Sequence, residues 1–401
     1  MNDTSRSGIG VITVDRFRFR HHFIDLDLPV FPAGEHVTGH YGHCLLTDLD
    51  NDGDLDLILG SNGKGSSVST LYWYEYRAAH HWVRRTLGHD SWSDVGAVAV
   101  DINGDGCLDI VCDGVWYRNP GNARAGEFTR HIFHPESQNG RGAHDIVAAD
   151  IDRDGIPEII VLHDGPGGLH WYKIPRDPLN EPWEKRIIAD GIHGAICPAG
   201  VADVDGDGCL DIVCGPVWYE NVRGDGSEWK AHEVIPFGRP GPYGLCVRTV
   251  VTDLDRDGHN EIIMSEADIV GSRIAILKSP DRGKSWARQD LPQSFEYGSL
   301  HSLAVADFDG DGKLEIMANE QEELLPDGRE NPRWVLWAQD AENQWREHIL
   351  LDARLGGHDM VLGDVNANGL PDVCSKVWNP APWNGAGGKA HVDFLENLSR
   401  G

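Results

Sequence analysis

Asp145 to His163 reads DIVAADIDRDGIPEIIVLH. Its two ends are short apolar segments, and its middle, DIDRDGIPE, is an acidic turn with Gly at the sixth place. Short apolar runs bounded by turn residues read as buried strands. The same strand–turn–strand unit recurs as DLDNDGDLD (Asp48–Asp56), DINGDGCLD (Asp101–Asp109) and DVDGDGCLD (Asp203–Asp211). It recurs again as DLDRDGHNE (Asp253–Glu261), DFDGDGKLE (Asp307–Glu315) and DVNANGLPD (Asp364–Asp372). The first positions lie 53, 49, 53, 50, 54 and 57 residues apart, so seven copies fill nearly all of the 401 residues. An aromatic segment follows each second strand (LYWYEY, VWYRN, LHWYKI, VWYEN). The next segment tends to begin with Trp or Phe and to carry basic residues (WVRRTL, FTRHIF, WREHIL). Four short strands in each ~50-residue repeat are the pattern of a propeller blade.

The expected fold is all-β, a single seven-bladed β-propeller over residues 1–401, with blades starting near 40, 93, 141, 193, 243, 298 and 355. The seventh unit stops at its third strand, HVDFLEN, and FRHHFI (Phe19–Ile24) matches the missing fourth. Residues 1–26 are therefore expected to complete blade 7 and close the ring, which removes exposed sheet edges.

Positions 1, 3, 5 and 9 of the acidic turns carry oxygen ligands at a spacing that suits Ca²⁺, between strands rather than helices. They are Asp48, Asp50, Asp52, Asp56; Asp101, Asn103, Asp105, Asp109; Asp150, Asp152, Asp154, Glu158; and Asp203, Asp205, Asp207, Asp211. The remaining three sets are Asp253, Asp255, Asp257, Glu261; Asp307, Asp309, Asp311, Glu315; and Asp364, Asn366, Asn368, Asp372. The two Asn make blade 7 the weakest expected site. These turns hold 26 of the 64 acidic residues. The net charge of −29 is thus largely capacity for ions. It still argues against nucleic acid or an anionic membrane as partner, which would require a basic face. No apolar run approaches the ~20 residues of a membrane-spanning helix.

The acidic turns resemble those of the FG-GAP/VCBS repeat superfamily of calcium-stapled propellers, over essentially the full chain. That superfamily includes adhesion modules, lectin-like proteins and enzymes, so the resemblance implies the fold more sharply than the function. The W-Y-x-N strand ends (Trp116–Asn119, Trp218–Asn221) and the His-Asp pairs look more like the enzyme branch. That branch includes propeller polysaccharide lyases and the propeller part of aldos-2-ulose dehydratases.

Residues about six before each turn sit at the far end of the inner strand, roughly 15–20 Å away at ~3.3 Å per residue. In a propeller these positions converge on the channel mouth. They are His43, Asp94, His144 with Asp145, Cys197, Arg248, His301, and His358 with Asp359, with Arg141, His193 and Tyr243 just upstream. His301, His358 and His43 come from neighbouring blades, and three imidazoles with an open position describe a Zn²⁺ or Mn²⁺ site. The other side of the ring offers acid–base chemistry: His144 as base, Arg248 as charge stabiliser, Tyr243 as acid, with His193 and Arg141 beside them. The plain alternative is that each His caps a strand and bonds a neighbouring carbonyl or carboxylate. Trp378 and Trp383, in a Pro-containing loop, are candidates for stacking on a sugar ring.

The residues point to β-elimination on a uronate-containing oligosaccharide or a keto-sugar. The rivals are a non-catalytic carbohydrate- or protein-binding propeller and a glycoside hydrolase. The eight cysteines mostly occupy apolar strand patterns and read as reduced packing residues. With no signal-like segment at the start, the expected compartment is cytoplasmic, with leaderless export as the alternative.

Overall fold

The first Asp of every acidic turn holds that turn shut. Its carboxylate accepts the amide hydrogen of the sixth-place Gly in all seven copies, at 2.8–3.1 Å. Those glycines have φ between +85° and +93°, a region that side-chain-bearing residues avoid. The ninth-place carboxylate accepts the second-place amide at 2.8–3.1 Å in blades 2 to 7. Each second-place side chain, from Leu49 to Val365, is buried.

The computed structural model describes residues 2–3, 6–29, 40–62, 70–90, 94–139, 142–163, 167–381 and 383–399, with no helix among them beyond one 3₁₀ turn, Pro135–Asn139. The strands form seven antiparallel meanders, the blades of a propeller. In blade 7, Asp359–Gly363, Asp372–Lys376 and Val392–Asn397 are followed by Phe17–Asp25, paired through Phe19↔Asn397 and Phe23↔Asp393. Arg6–Val14 adds a fifth strand outside it. The inner strands of blades 7 and 1, Asp359–Gly363 and His40–Thr47, touch each other.

Trp73, Trp116, Trp171 and Trp218 are fully buried. Trp171 and Trp218 share one cluster with Ile151 and Ile212, so the core lies between neighbouring blades. The W-Y-x-N asparagines Asn119 and Asn221, and Asn397 at the end of HVDFLEN in blade 7, tie neighbouring blades together. The side-chain amides of Asn119, Asn221 and Asn397 donate to Leu49 O, Ile151 O and Phe308 O, 2.8–3.0 Å away in the preceding blade's acidic turn. Asn221→Ala would lose this bond and the one that its Oδ1 accepts from Gly226. The expected cost is about 2–3 kcal/mol, read as a lower urea midpoint, because Ile151 O is left buried and unpaired.

Blade 4 is irregular, and this shapes the site. Its inner strand is reduced to Val201–Ala202, while Pro198–Ala199 runs parallel to Val247–Thr252 of blade 5. The amides of residues 195–197 are then spent on no antiparallel ladder and turn toward blade 3.

Candidate active site

Those three amides converge on one carboxylate. Asp145 Oδ2 accepts the amide hydrogens of Ala195, Ile196 and Cys197 at 2.9, 2.7 and 3.0 Å. Its Oδ1 bonds His144 Nδ1 at 2.6 Å and faces Arg248 Nη1 at 3.7 Å. Arg248 Nη2 reaches Asp359 Oδ1 at 3.4 Å. All three side chains are buried. Burial raises the Asp145 pKa, but His144 and Arg248 outweigh it and hold the carboxyl below its ordinary range. Arg248 therefore sits sealed between two carboxylates as a keystone. The expected role of Arg248 was to stabilise charge on a substrate; in the fold its side chain is buried and also borders the axial cavity. Beneath this layer an axial cavity of about 450 Å³ is lined by Leu45, Val98, Val250, Val305 and Leu362. Apart from Arg248 and Asp359 its walls are mainly aliphatic, so the chemistry lies above it.

Above the keystone stand His144, His193 and Tyr243. The imidazoles of His144 and His193 are 4.3 Å apart, edge to face, and His193 is 6.0 Å from the Tyr243 ring. His144 Nε2 faces Asp94 at 3.8 Å. Burial lowers the His144 pKa, but Asp145 and Asp94 raise it further, to about 9. His144 thus carries its proton at neutral pH, the state of an acid or charge stabiliser. The expected role of His144 was that of the base; in the proposal below that role falls to its neighbour His193. Tyr243 is 66% exposed. Partial burial and then the charges of Glu323, Asp268 and Asp94 raise its pKa, which keeps the phenol protonated. Arg141 lies outside the described residues.

The structure brings His301 and His358 together but not as joint metal ligands. Their rings stack at 3.8 Å with planes 20° apart. Imidazole lone pairs lie in the ring plane, so parallel rings aim side by side and do not converge. His301 Nδ1 donates to His358 O at 2.9 Å, and Lys376 Nζ donates to His358 Nδ1 at 2.9 Å. His43 packs over Gly60, where a Cβ would strike its ring. His301 instead turns Nε2 toward Asp268 Oδ1, 3.8 Å away. Ligand atoms of Cys246, Asp268 and His301 lie within 4.8 Å of one another, as do those of His144, His193 and Cys246. The first set has the features of a cation site: a thiol, a carboxylate and an imidazole whose tautomer is fixed by a backbone carbonyl. Cys246 escapes sequence reading because it sits in an apolar strand pattern. Trp378 stacks on His358 at 4.6 Å, whereas Trp383 is 74% exposed.

The acidic turns differ in ways their sequences conceal. Lys173 pairs with Asp152 and Asp154 in blade 3, and Lys278 with Asp255, Asp257 and Glu261 in blade 5. Arg124 enters the blade 1 turn at Asp50 and Asp52, and Arg16 the blade 6 turn at Asp309 and Asp311. In blade 4, Asp203, Asp205 and Asp211 form a cluster within 4.8 Å, and among the described residues no Lys or Arg pairs with Asp203, Asp205 or Asp207. Burial pushes the ninth-place carboxyls Asp109, Asp211 and Asp372 up to about 7.

Seven antiparallel blades around an axial channel, with acidic turns on one face, define a seven-bladed β-propeller. Residues 48–112 and 253–318 match the FG-GAP-like repeat. Over 251 residues the chain is 26% identical to aldos-2-ulose dehydratase of Phanerodontia chrysosporium, covering 57% of this chain and 28% of that protein. It is 25% identical over 324 residues to cartilage acidic protein 1 of Homo sapiens, covering 68% of this chain and 46% of that protein. The chain thus spans less than half the length of either curated relative. Among solved structures, an Agrocybe aegerita protein that recognises non-reducing terminal N-acetylglucosamine shares the fold at TM-score 0.55. The two are 17% identical, over 92% of this chain and 88% of that one. The propeller is related to carbohydrate-active enzymes.

Proposed function

We propose that the propeller is a carbohydrate-active lyase that performs β-elimination on a uronate-containing oligosaccharide or a keto-sugar at the channel mouth. The observation that carries this reading is the placement of His193 between the charged His144 and the exposed Tyr243. Homology to a protein named as a dehydratase supports it. His193 takes the proton from the carbon next to the carboxylate or carbonyl. The electron pair of that C–H bond becomes the new C=C bond, and the β C–O bond breaks toward oxygen. Tyr243 supplies the proton to the departing oxygen. The imidazolium of His144, held by Asp145, offsets the negative charge that develops on the enolate. Cys246, Asp268 and His301 would hold a divalent ion beside this pair, and a thiol ligand favours Zn²⁺ over Mn²⁺. When bound, such an ion supplies polarisation of the substrate's carboxylate or carbonyl.

The test is product identification on a panel of uronate oligosaccharides and keto-sugars by NMR and mass spectrometry. A new C=C bond with no water added is the expected result. Products that have gained water would make the protein a hydrolase, and substrate that is bound but unchanged would make it a binding module.

The structural ions of the acidic turns belong to the same proposal. Calcium is expected to bind most tightly in blade 4, and weakly where Lys173, Lys278, Arg124 or Arg16 already neutralises the carboxylates. Calcium titration by calorimetry should show fewer than seven sites. Asp205→Asn should remove the tightest, and Lys278→Met should add one. Seven equal sites would contradict this ordering.

A further inference from the structure

A second group of histidines lies between blades 2 and 3, apart from the channel-mouth cluster. His134 follows the outer strand of blade 2, Thr129–Ile132. His163 ends the second strand of blade 3, Glu158–His163, and His170 lies in the third, Gly168–Lys173. The ring of His163 stands 5.2 Å from that of His134 and 4.9 Å from that of His170, tilted by 57° in both cases. All three residues are more than nine-tenths buried, at 8%, 7% and 9% exposure. His163 Nε2 and His170 Nδ1 are buried with no hydrogen-bond partner among the described residues.

Buried ring nitrogens without partners are costly, and a native fold seldom keeps two together unless something pairs with them. Ring centres about 5 Å apart are the spacing of imidazoles that share a tetrahedral ion with Zn–N bonds of ~2.0–2.1 Å. The rings are tilted by 57° and do not lie parallel as those of His301 and His358 do. The surroundings leave room for these rings. A side chain at Gly168 would meet His170 Nε2 at 2.6 Å, and one at Gly167 would strike His163. The Lys185 charge nearby is paired with Glu136 at 3.5 Å.

We propose that His134, His163 and His170 form an all-nitrogen site for a divalent transition ion of the Zn²⁺ type. The ion would join the end of blade 2's outer strand to blade 3. The site is independent of the reaction proposed above, because none of the three histidines takes part in it.

The experiment uses the full chain, saturated with Ca²⁺, with Cys246→Ser and Asp268→Asn removing the channel-mouth ligands. Titration with Co²⁺ should give visible d–d absorption at one ion per chain, without the near-ultraviolet thiolate charge-transfer band. His163→Gln or His170→Gln added to that background should weaken Co²⁺ binding at least tenfold. His134→Gln, at the edge of the cluster, should weaken it less and tests the site if the buried variants fail to fold. No Co²⁺ absorption in the background protein, or binding unchanged in folded His163→Gln and His134→Gln, would overturn the proposal.

Discussion

Asp145→Ala is expected to destabilise the propeller by about 3–5 kcal/mol, the scale for removing one partner of a buried charge network. Three backbone amides of blade 4 lose their acceptor in this variant, and Arg248 loses one of its two carboxylates. Pro198–Ala199 has left the blade 4 ladder for blade 5, and among the described residues no strand pairs with those amides. His144 also loses the partner that holds its proton. Asp145→Asn keeps the shape and removes the charge, so it should lie between the parent and Asp145→Ala. The measurement is the urea midpoint, with circular dichroism confirming that each variant starts folded. A loss below 1 kcal/mol in Asp145→Ala would mean that the keystone does not hold blades 3, 4 and 5 together.

The second large effect is on turnover. His193→Ala is expected to lower kcat by 10²- to 10⁴-fold, the usual worth of a positioned base; its side chain is only 11% exposed, so circular dichroism must show the variant folded before its rate is read. His144→Ala should cost a similar factor while also loosening Asp145. The pH dependence separates the two roles. The raised pKa of His144 means its proton is present below about 9 and lost as pH rises through that value. The parent's rate should therefore fall on the alkaline side near 9, and that limb should vanish in His144→Ala.

The architecture was legible because one nonapeptide carries it seven times. Apolar strands on either side of a Gly-kinked acidic turn leave few alternatives, and the aromatic and basic strands complete each blade. The convergence of His144, His193 and Tyr243 on one mouth was also legible, because the turn fixes which end of each inner strand faces the channel. What remained hidden depends on contacts across blades. Arg248 looks reactive in sequence, and only the pairing of blades 3, 5 and 7 shows it enclosed by Asp145 and Asp359. Cys246 looks like packing, and only its approach to Asp268 and His301 makes it a candidate ligand. The W-Y-x-N asparagines read as a family trait, whereas in the fold they bond the preceding blade's turn. The seven turns look nearly equivalent until Lys173, Lys278, Arg124 and Arg16 are seen inside four of them.

The most direct test of an eliminating centre at the channel mouth is the near-ultraviolet absorbance of reactions run in parallel with the parent and with folded His193→Ala. The substrates are uronate oligosaccharides and keto-sugars, whose elimination products carry a conjugated double bond. The account predicts absorbance that rises with the parent on at least one substrate and stays flat with His193→Ala. New reducing ends without absorbance, or equal rates from both proteins, would contradict it.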